Sequence, residues 1–349
     1  MENNMNIGFA SDNYASVNPK VLQRLLKVDQ GNQIAYGADE SSSELAELVR
    51  ERLGLNVEVF PVFNGTGGNV LALSAALKKY QGVICAETSH LNTDEGGAPE
   101  VVAGIKLYKV STSNGKLTPE SILKECFGFD DLHRAEPKVI SLAMSTETGL
   151  IYTIEELIVI RKLADENDLY LHVDGARIFN GCAALGISVW EFIERVKPDI
   201  ITVGGTKVGA MLAECIISLN PEISKNIYRL RKSYMQLGSK QRYISAQLLA
   251  LLENSLGVEL AGNANAQAYR LYEGVKDNQY VKVRYKPSAN ALFVELDSVL
   301  LEELQKCYRF YLWDESCNLV RWMTSWQSTE EEVDSFIAKI NEISSNINN

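Results

Sequence analysis

Leu169-Tyr170-Leu171-His172-Val173-Asp174-Gly175-Ala176-Arg177 passes from an almost wholly apolar run straight into a carboxylate and a guanidinium. A run apolar on both faces suits a parallel strand buried between helix layers. Polar groups at the C-terminal end of such a strand lie where open α/β sheets meet their ligands. Ile200-Ile201-Thr202-Val203-Gly204-Gly205-Thr206-Lys207 repeats the pattern, this time delivering a lysine.

Working outward, short apolar runs at 57–63, 83–86, 105–110, 139–143, 169–173 and 200–203 alternate with longer amphipathic segments such as 153–167 and 189–197. That alternation predicts an α/β domain built on a mainly parallel sheet. Ahead of it, 17–28 reads as a helix, as does 42–53, where Leu45, Leu48, Val49 and Leu53 recur at helical spacing before Gly54. After about residue 245 the pattern changes to a long helical stretch at 245–275, a polar loop at 278–288, a strand at 291–296, a helix at 300–308 and a strand at 320–325. The expected organisation is a large α/β domain with an N-terminal arm over 1–245 and a smaller α+β domain over 246–349. The polar end 344–349 reads as a tail.

A chain of 349 residues can bury a substantial core, which excludes a lone small binding module. With 45 acidic residues against 34 basic ones, net charge −11, a general nucleic-acid binder is not expected. The opening MENNMNIGFASDNY lacks a positive segment followed by an apolar one, and no run approaches the roughly 18 apolar residues of a membrane span, so a cytoplasmic protein without membrane partners is expected. Cys85, Cys126, Cys182, Cys215, Cys307 and Cys317 form no C-x-x-C pair and stand beside no histidine cluster, which predicts reduced thiols and no metal.

Taken alone, Lys207 reads equally as a solvated loop residue or as an amine placed to form a Schiff base with a carbonyl cofactor. Pyridoxal phosphate chemistry also needs an acidic partner for the pyridine nitrogen and a phosphate cradle. Asn64-Gly65-Thr66-Gly67-Gly68-Asn69, between the run at 57–63 and a helical segment at 70–79, offers such a cradle, but it also reads as a plain helix cap. It matches neither G-x-G-x-x-G nor G-x-x-x-x-G-K-[ST], which lowers the dinucleotide and nucleoside triphosphate readings. Of the three histidines, His133 sits in a charged stretch and reads as surface, and His172 lies inside a strand and reads as core. His90, in Glu87-Thr88-Ser89-His90 after the run at 83–86, is placed either as a loop residue or to stack on a cofactor and move a proton.

Together these motifs resemble the low-specificity L-threonine aldolases, in the β-eliminating lyase group of fold-type-I pyridoxal phosphate enzymes. The resemblance runs from Phe9-Ala10-Ser11-Asp12-Asn13-Tyr14 through Tyr36-Gly37, Phe63-Asn64-Gly65-Thr66, Glu87-Thr88-Ser89-His90, His172 to Arg177, and Gly204-Gly205-Thr206-Lys207 to Arg321-Trp322-Met323-Thr324-Ser325-Trp326. It implies that Lys207 carries pyridoxal 5′-phosphate, Asp174 pairs with the pyridine nitrogen and His90 stacks on the ring. Gly65, Thr66 and Thr206 would meet the phosphate. Arg177 would lie near the cofactor's O3′ and the substrate, and Ser11 with Arg321 would hold the substrate carboxylate. Tyr36, Lys232 and Arg242 would reach a neighbouring subunit's site in a homodimer or homotetramer.

The implied reaction is retro-aldol cleavage of L-threonine, L-allo-threonine or a related β-hydroxy amino acid to glycine and an aldehyde, with His90 as the base. β-Elimination or racemisation on the same fold is the alternative, and a non-catalytic oligomer is the rival from outside enzymology. One departure stands out: better-known members carry a histidine in the segment corresponding to Leu142-Ala143-Met144-Ser145-Thr146-Glu147, which here contains none.

Overall fold

The computed structural model describes residues 8–347. Its centre is a seven-stranded sheet made by β1 (Glu58–Val62), β2 (Gln81–Ala86), β3 (Lys106–Val110), β4 (Glu136–Ala143), β5 (Tyr170–Gly175), β6 (Ile200–Gly204) and β7 (Glu214–Ser218). The spatial order is β1-β7-β6-β5-β4-β2-β3. Strands β3, β2, β4, β5 and β6 run parallel, and β7 runs antiparallel to both β6 and β1. Each apolar run expected as a strand in this half is one.

The seventh strand, around Cys215-Ile216-Ile217, extends the expected set. The link from β6 to β7 is too short for the crossover that parallel pairing requires, so the chain doubles back. Alternate residues of the central strands face two apolar layers. Val83, Ile200 and Ile216 pack with Leu71 and Leu73 of the helix Gly65–Ala76. Ile84, Ile201 and Ile217 pack on the opposite side with Leu157, Phe179 and Ile193. The helix Gly65–Ala76 starts five residues before the expected position because Asn64 caps it, its side-chain oxygen accepting from the Gly67 N–H.

A second, antiparallel sheet has the order β10-β11-β9-β8, with β8 at Val281–Val283, β9 at Ala291–Leu296, β10 at Tyr311–Asp314 and β11 at Leu319–Met323. Its core gathers Trp322, Tyr308 and Phe336 with Phe9 from the N-terminal segment, the Phe9 and Phe336 rings stacking at 4.3 Å.

Three expectations need correction. The stretch 245–275 is two helices, Arg242–Leu252 and Leu256–Val275, broken where Ser255 takes a left-handed φ of 56°. Polar Glu253, Asn254 and Ser255 follow an apolar helix end there, and such side chains compete with helical bonding. Gly257 then lies under the Phe179 ring, where an added Cβ would come within 2.4 Å. The loop at 278–288 contains β8. The polar end belongs as far as Ile347 to the helix Glu330–Ile347, with Ile343 and Ser344 buried; Asn348 and Asn349 lie outside the described residues.

The helix Leu256–Val275 links the two cores: Leu256 and Ala261 pack in the larger one, Leu271 and Val275 in the smaller. All six cysteines are free thiols, with Cys85, Cys182 and Cys215 buried. Among the described residues no helix is long and apolar enough to cross a membrane.

Phe336 is fully buried and touches the Phe9, Tyr308 and Trp322 rings. Phe336→Ala should therefore cost about 3–5 kcal/mol, read as a lowered denaturant midpoint. An unchanged midpoint would mean that the smaller core does not depend on this ring.

Candidate active site

A cavity of about 250 Å³ opens at the C-terminal ends of β4, β5 and β6. Larger hollows exist on the surface, but this one gathers buried ionisable groups. Gly65, Thr66, His90, Asp174, Arg177, Thr206 and Lys207 all line it, so seven of the expected residues meet at one place.

Asp174 leaves β5 with both carboxylate oxygens engaged. Oδ1 accepts from the Ala176 N–H at 2.9 Å, and Oδ2 accepts from Asn69 Nδ2 at 2.9 Å. Asn69 sits on the helix Gly65–Ala76, and its Nδ2 also stands 3.5 Å from Glu95 Oε1. That same Glu95 oxygen is 2.8 Å from His90 Nδ1. A continuous polar path thus runs from Asp174 through Asn69 and Glu95 to His90. The hydrogen bond to Glu95 raises the His90 pKa above its ordinary value, outweighing burial, which acts the other way.

Lys207 follows β6 in a short turn, Thr206–Val208. Its Nζ has no hydrogen-bond or ion-pair partner among the described residues. Burial, and then the charge of Arg177, lower its pKa, so the neutral nucleophilic amine becomes more accessible. Beside it Glu214 accepts from the Thr206 N–H at 3.3 Å, and burial pushes its pKa up to about 7.

Arg177 is held by Asp12, Nε donating to Oδ2 at 2.7 Å and Nη2 to Oδ1 at 3.0 Å. Burial works to raise the Asp12 carboxyl, but the Arg177 charge and hydrogen bonds overcome it and leave the pKa below the usual carboxylate range. Asn290 Nδ2 adds a further bond to Asp12 Oδ2 at 3.1 Å.

Four expected residues do not line the cavity. Ser11 is buried next to Asp12, its Oγ accepting from Asn13 N at 3.2 Å. Arg321, on β11, stands 5.3 and 5.0 Å from the Tyr311 and Trp313 ring centroids, and its buried Nε has no partner. Burial, and then nearby Arg177, bring the Arg321 pKa down to about 10. Tyr36 is 53% exposed with φ 60°, and Lys232 Nζ lies 4.8 Å from its ring centroid. Arg242 donates to the Gly31 carbonyl at 3.1 Å. His172 is a core residue, bonded to Ser141 Oγ at 2.8 Å and pushed down to a pKa of about 4 by burial, and His133 is exposed.

Asn69, Glu95, Asp12 and Glu214 went unread. Only the Gly96-Gly97 pair hinted at Glu95: both glycines take left-handed φ, which lets the chain fold back on His90.

Residues 8–298 match the model of the beta-eliminating lyases. The chain belongs to that family. Among family relatives, the low specificity L-threonine aldolase of Pseudomonas sp. (strain NCIMB 10558) is 37% identical, over 97% of this chain and 98% of that protein. The low specificity L-threonine aldolase of Pseudomonas aeruginosa is 36% identical over 93% of this chain and 94% of its own length. The beta-eliminating lyase fold seen here also superposes on the structure of Leishmania major threonine aldolase with a TM-score of 0.91 and 27% identity, covering 97% of this chain and 99% of that one.

Because Glu95 is the main cause of the His90 shift, Glu95→Gln should lower the His90 pKa. Imidazole proton resonances followed by NMR would show it, with only three histidines to assign. A His90 titration unmoved by the substitution would remove Glu95 from this part.

Proposed function

We propose that this chain is a pyridoxal phosphate-dependent threonine aldolase, cleaving L-threonine, L-allo-threonine and related β-hydroxy amino acids to glycine and an aldehyde. One observation carries the reading. An unpartnered lysine amine and a carboxylate hydrogen-bonded on both oxygens share a cavity with the open start of a helix.

The cavity residues fit the cofactor. A Cβ placed on Gly65 would meet nothing within 4 Å, so there is room for a phosphate against the main chain. The Gly65 and Thr66 N–H groups have no partner among the described residues and point from a helix N-terminus, which suits an anion. Thr206 adjoins the same cavity. Lys207 supplies the amine that bonds the cofactor's aldehyde. Asp174, fixed by Asn69 and the Ala176 N–H, presents a negative charge to the pyridine nitrogen, and His90 offers a ring face for stacking.

Once bound, the cofactor provides an acceptor for the electron pair released at the substrate Cα. The chain decides which bond supplies that pair. Arg321, with Ser11, grips the substrate carboxylate, and Arg177, anchored by Asp12, sets the edge against which the amino acid lies. That grip aligns Cα–Cβ for cleavage.

Residues 1–245 form the cofactor domain and 246–349 the smaller one in this reading. Exposed Tyr36, Lys232 and Arg242 complete the site of a second copy in a homodimer or homotetramer working in the cytoplasm.

Borohydride reduction of the yellow protein followed by peptide mapping should place the pyridoxyl group on Lys207. Incubation with L-threonine should yield glycine and acetaldehyde in equal amounts. A keto acid or racemised amino acid without aldehyde would sink the aldolase reading while sparing the cofactor assignment. Arg321→Lys keeps the charge but loses the two-pronged grip, so kcat/KM should fall about tenfold or more, equivalent to roughly 1.4 kcal/mol, with cofactor occupancy unchanged. Wild-type turnover would take Arg321 out of the site.

A further inference from the structure

The segment after β4 is a tightly bonded turn. Thr146 N–H donates to the Leu150 carbonyl at 2.8 Å, and Gly149 N–H to the Thr146 carbonyl at 3.0 Å. Thr146 Oγ1 accepts from the Leu150 N–H at 3.1 Å, and Thr148 Oγ1 donates to the Asn114 carbonyl at 2.6 Å. Gly149, with φ 78°, lets the turn press on β9, where an added Cβ would lie 3.2 Å from the Ala291 carbonyl oxygen. Glu147 is the residue this turn projects into the cavity beside His90, Asp174, Arg177 and Lys207. Its Oε1 accepts from the His90 main-chain N–H at 2.8 Å, while Oε2 takes no hydrogen bond among the described residues.

We propose that Glu147 is the catalytic residue that takes the proton from the substrate's β-hydroxyl. The proposal rests on the aldolase reading and replaces His90 in that one task. The two side chains differ in freedom: the His90 ring is tied through Nδ1 to buried Glu95, whereas Glu147 is anchored by one oxygen and has the other unengaged. A rigidly held carboxylate with an idle oxygen is what a general base needs.

The electrostatics agree. Burial pushes the Glu147 pKa up to about 7, with Asp174 adding to the rise, while the His90 N–H and the His90 charge oppose it. Arg177, Tyr152 and Cys85 also feel its charge. A base poised near neutrality is better matched to a hydroxyl in the cell than an imidazole held protonated by a buried carboxylate.

The step balances without a co-reactant. The hydroxyl O–H bond breaks and its proton goes to Glu147 Oε2. The O–H electron pair becomes the second bond of the aldehyde carbonyl, and the Cα–Cβ pair stays on Cα. Threonine has the same atoms as glycine plus acetaldehyde, so the one proton released is matched by the one that Cα gains.

Glycine provides the discriminating experiment, since it has a Cα proton but no hydroxyl. In Glu147→Gln holoenzyme, aldol cleavage should fall by on the order of 100-fold or more. Exchange of the glycine Cα proton in heavy water should stay within a few-fold of wild type, and the cofactor's absorbance should be retained. Because the carboxylate is the active form, wild-type kcat/KM should drop as the pH falls through about 7, and this limb should vanish from the residual activity of the variant. A protonated-carboxyl infrared band that disappears as pH rises through neutrality should be present in the cofactor-free wild type and missing in the variant. Glu147→Asp keeps the carboxylate and should recover part of the cleavage.

Cleavage at the wild-type rate in Glu147→Gln would overturn the proposal. So would loss of glycine exchange along with cleavage while Glu147→Asp remains folded and loaded, because Glu147 would then act on Cα or on the site as a whole. If the wild-type enzyme exchanged glycine protons but released no aldehyde from any β-hydroxy amino acid, the aldolase reading itself would have failed.

Discussion

A buried guanidinium cannot shed its proton and must be given an anion, and around Arg177 that requirement organises the molecule. The anion is Asp12, delivered by the N-terminal segment across the C-terminal end of β5. Asn290 from the smaller half bonds the same carboxylate, and Met323 Sδ of β11 lies 3.4 Å from Arg177 Nη2. Three parts of the chain are thus tied at one charge pair beside the cavity. Removing either partner would strand a charge away from water, which is why such a pair fixes geometry more than it adds stability.

The carboxyl groups around the cavity differ in what they have been given. Asp12 has an arginine on two atoms and an asparagine besides, and its charge is favoured. Glu147 and Glu214 have main-chain N–H donors at the same depth but no paired cation, and burial prevails. The same chemical group is therefore set to two different tasks by its donors. Asp12 acts as a permanent counter-charge, and the two glutamates stand near the point of gaining or losing a proton.

Much of the large sheet was legible because its strands are buried on both faces and read as unbroken apolar runs. Strand β7 was missed because it follows β6 with no intervening helix to mark it. Strands β8 and β10 are short, and β10 is largely exposed, so neither carries a strong apolar signal. At the site, Asp174, Arg177, Thr206 and Lys207 were visible at strand ends, and Gly65 and Thr66 at a helix start. Asn69, Glu95 and Asp12 were not, because their meaning lies in partners far away in the chain: Asn69 reaches Asp174, and Asp12 reaches Arg177. No local pattern encodes such a meeting.

The strand order has a consequence for how the protein is made. Strand β1 has a single neighbour in the sheet, β7, with Glu58 opposite Ser218. During synthesis β1 and the Gly65-Thr66 turn that follows it emerge early, yet the strand that fixes them arrives only after the whole parallel core has been translated. Closing so long a loop is slow, and the nascent chain must shield apolar β1 in the meantime. Since β7 comes after Lys207, the phosphate cradle and the lysine become properly juxtaposed only at the end of assembly. Capture of the cofactor would then serve as a natural marker of completed folding, and chains stalled before β7 would be colourless and dependent on chaperones.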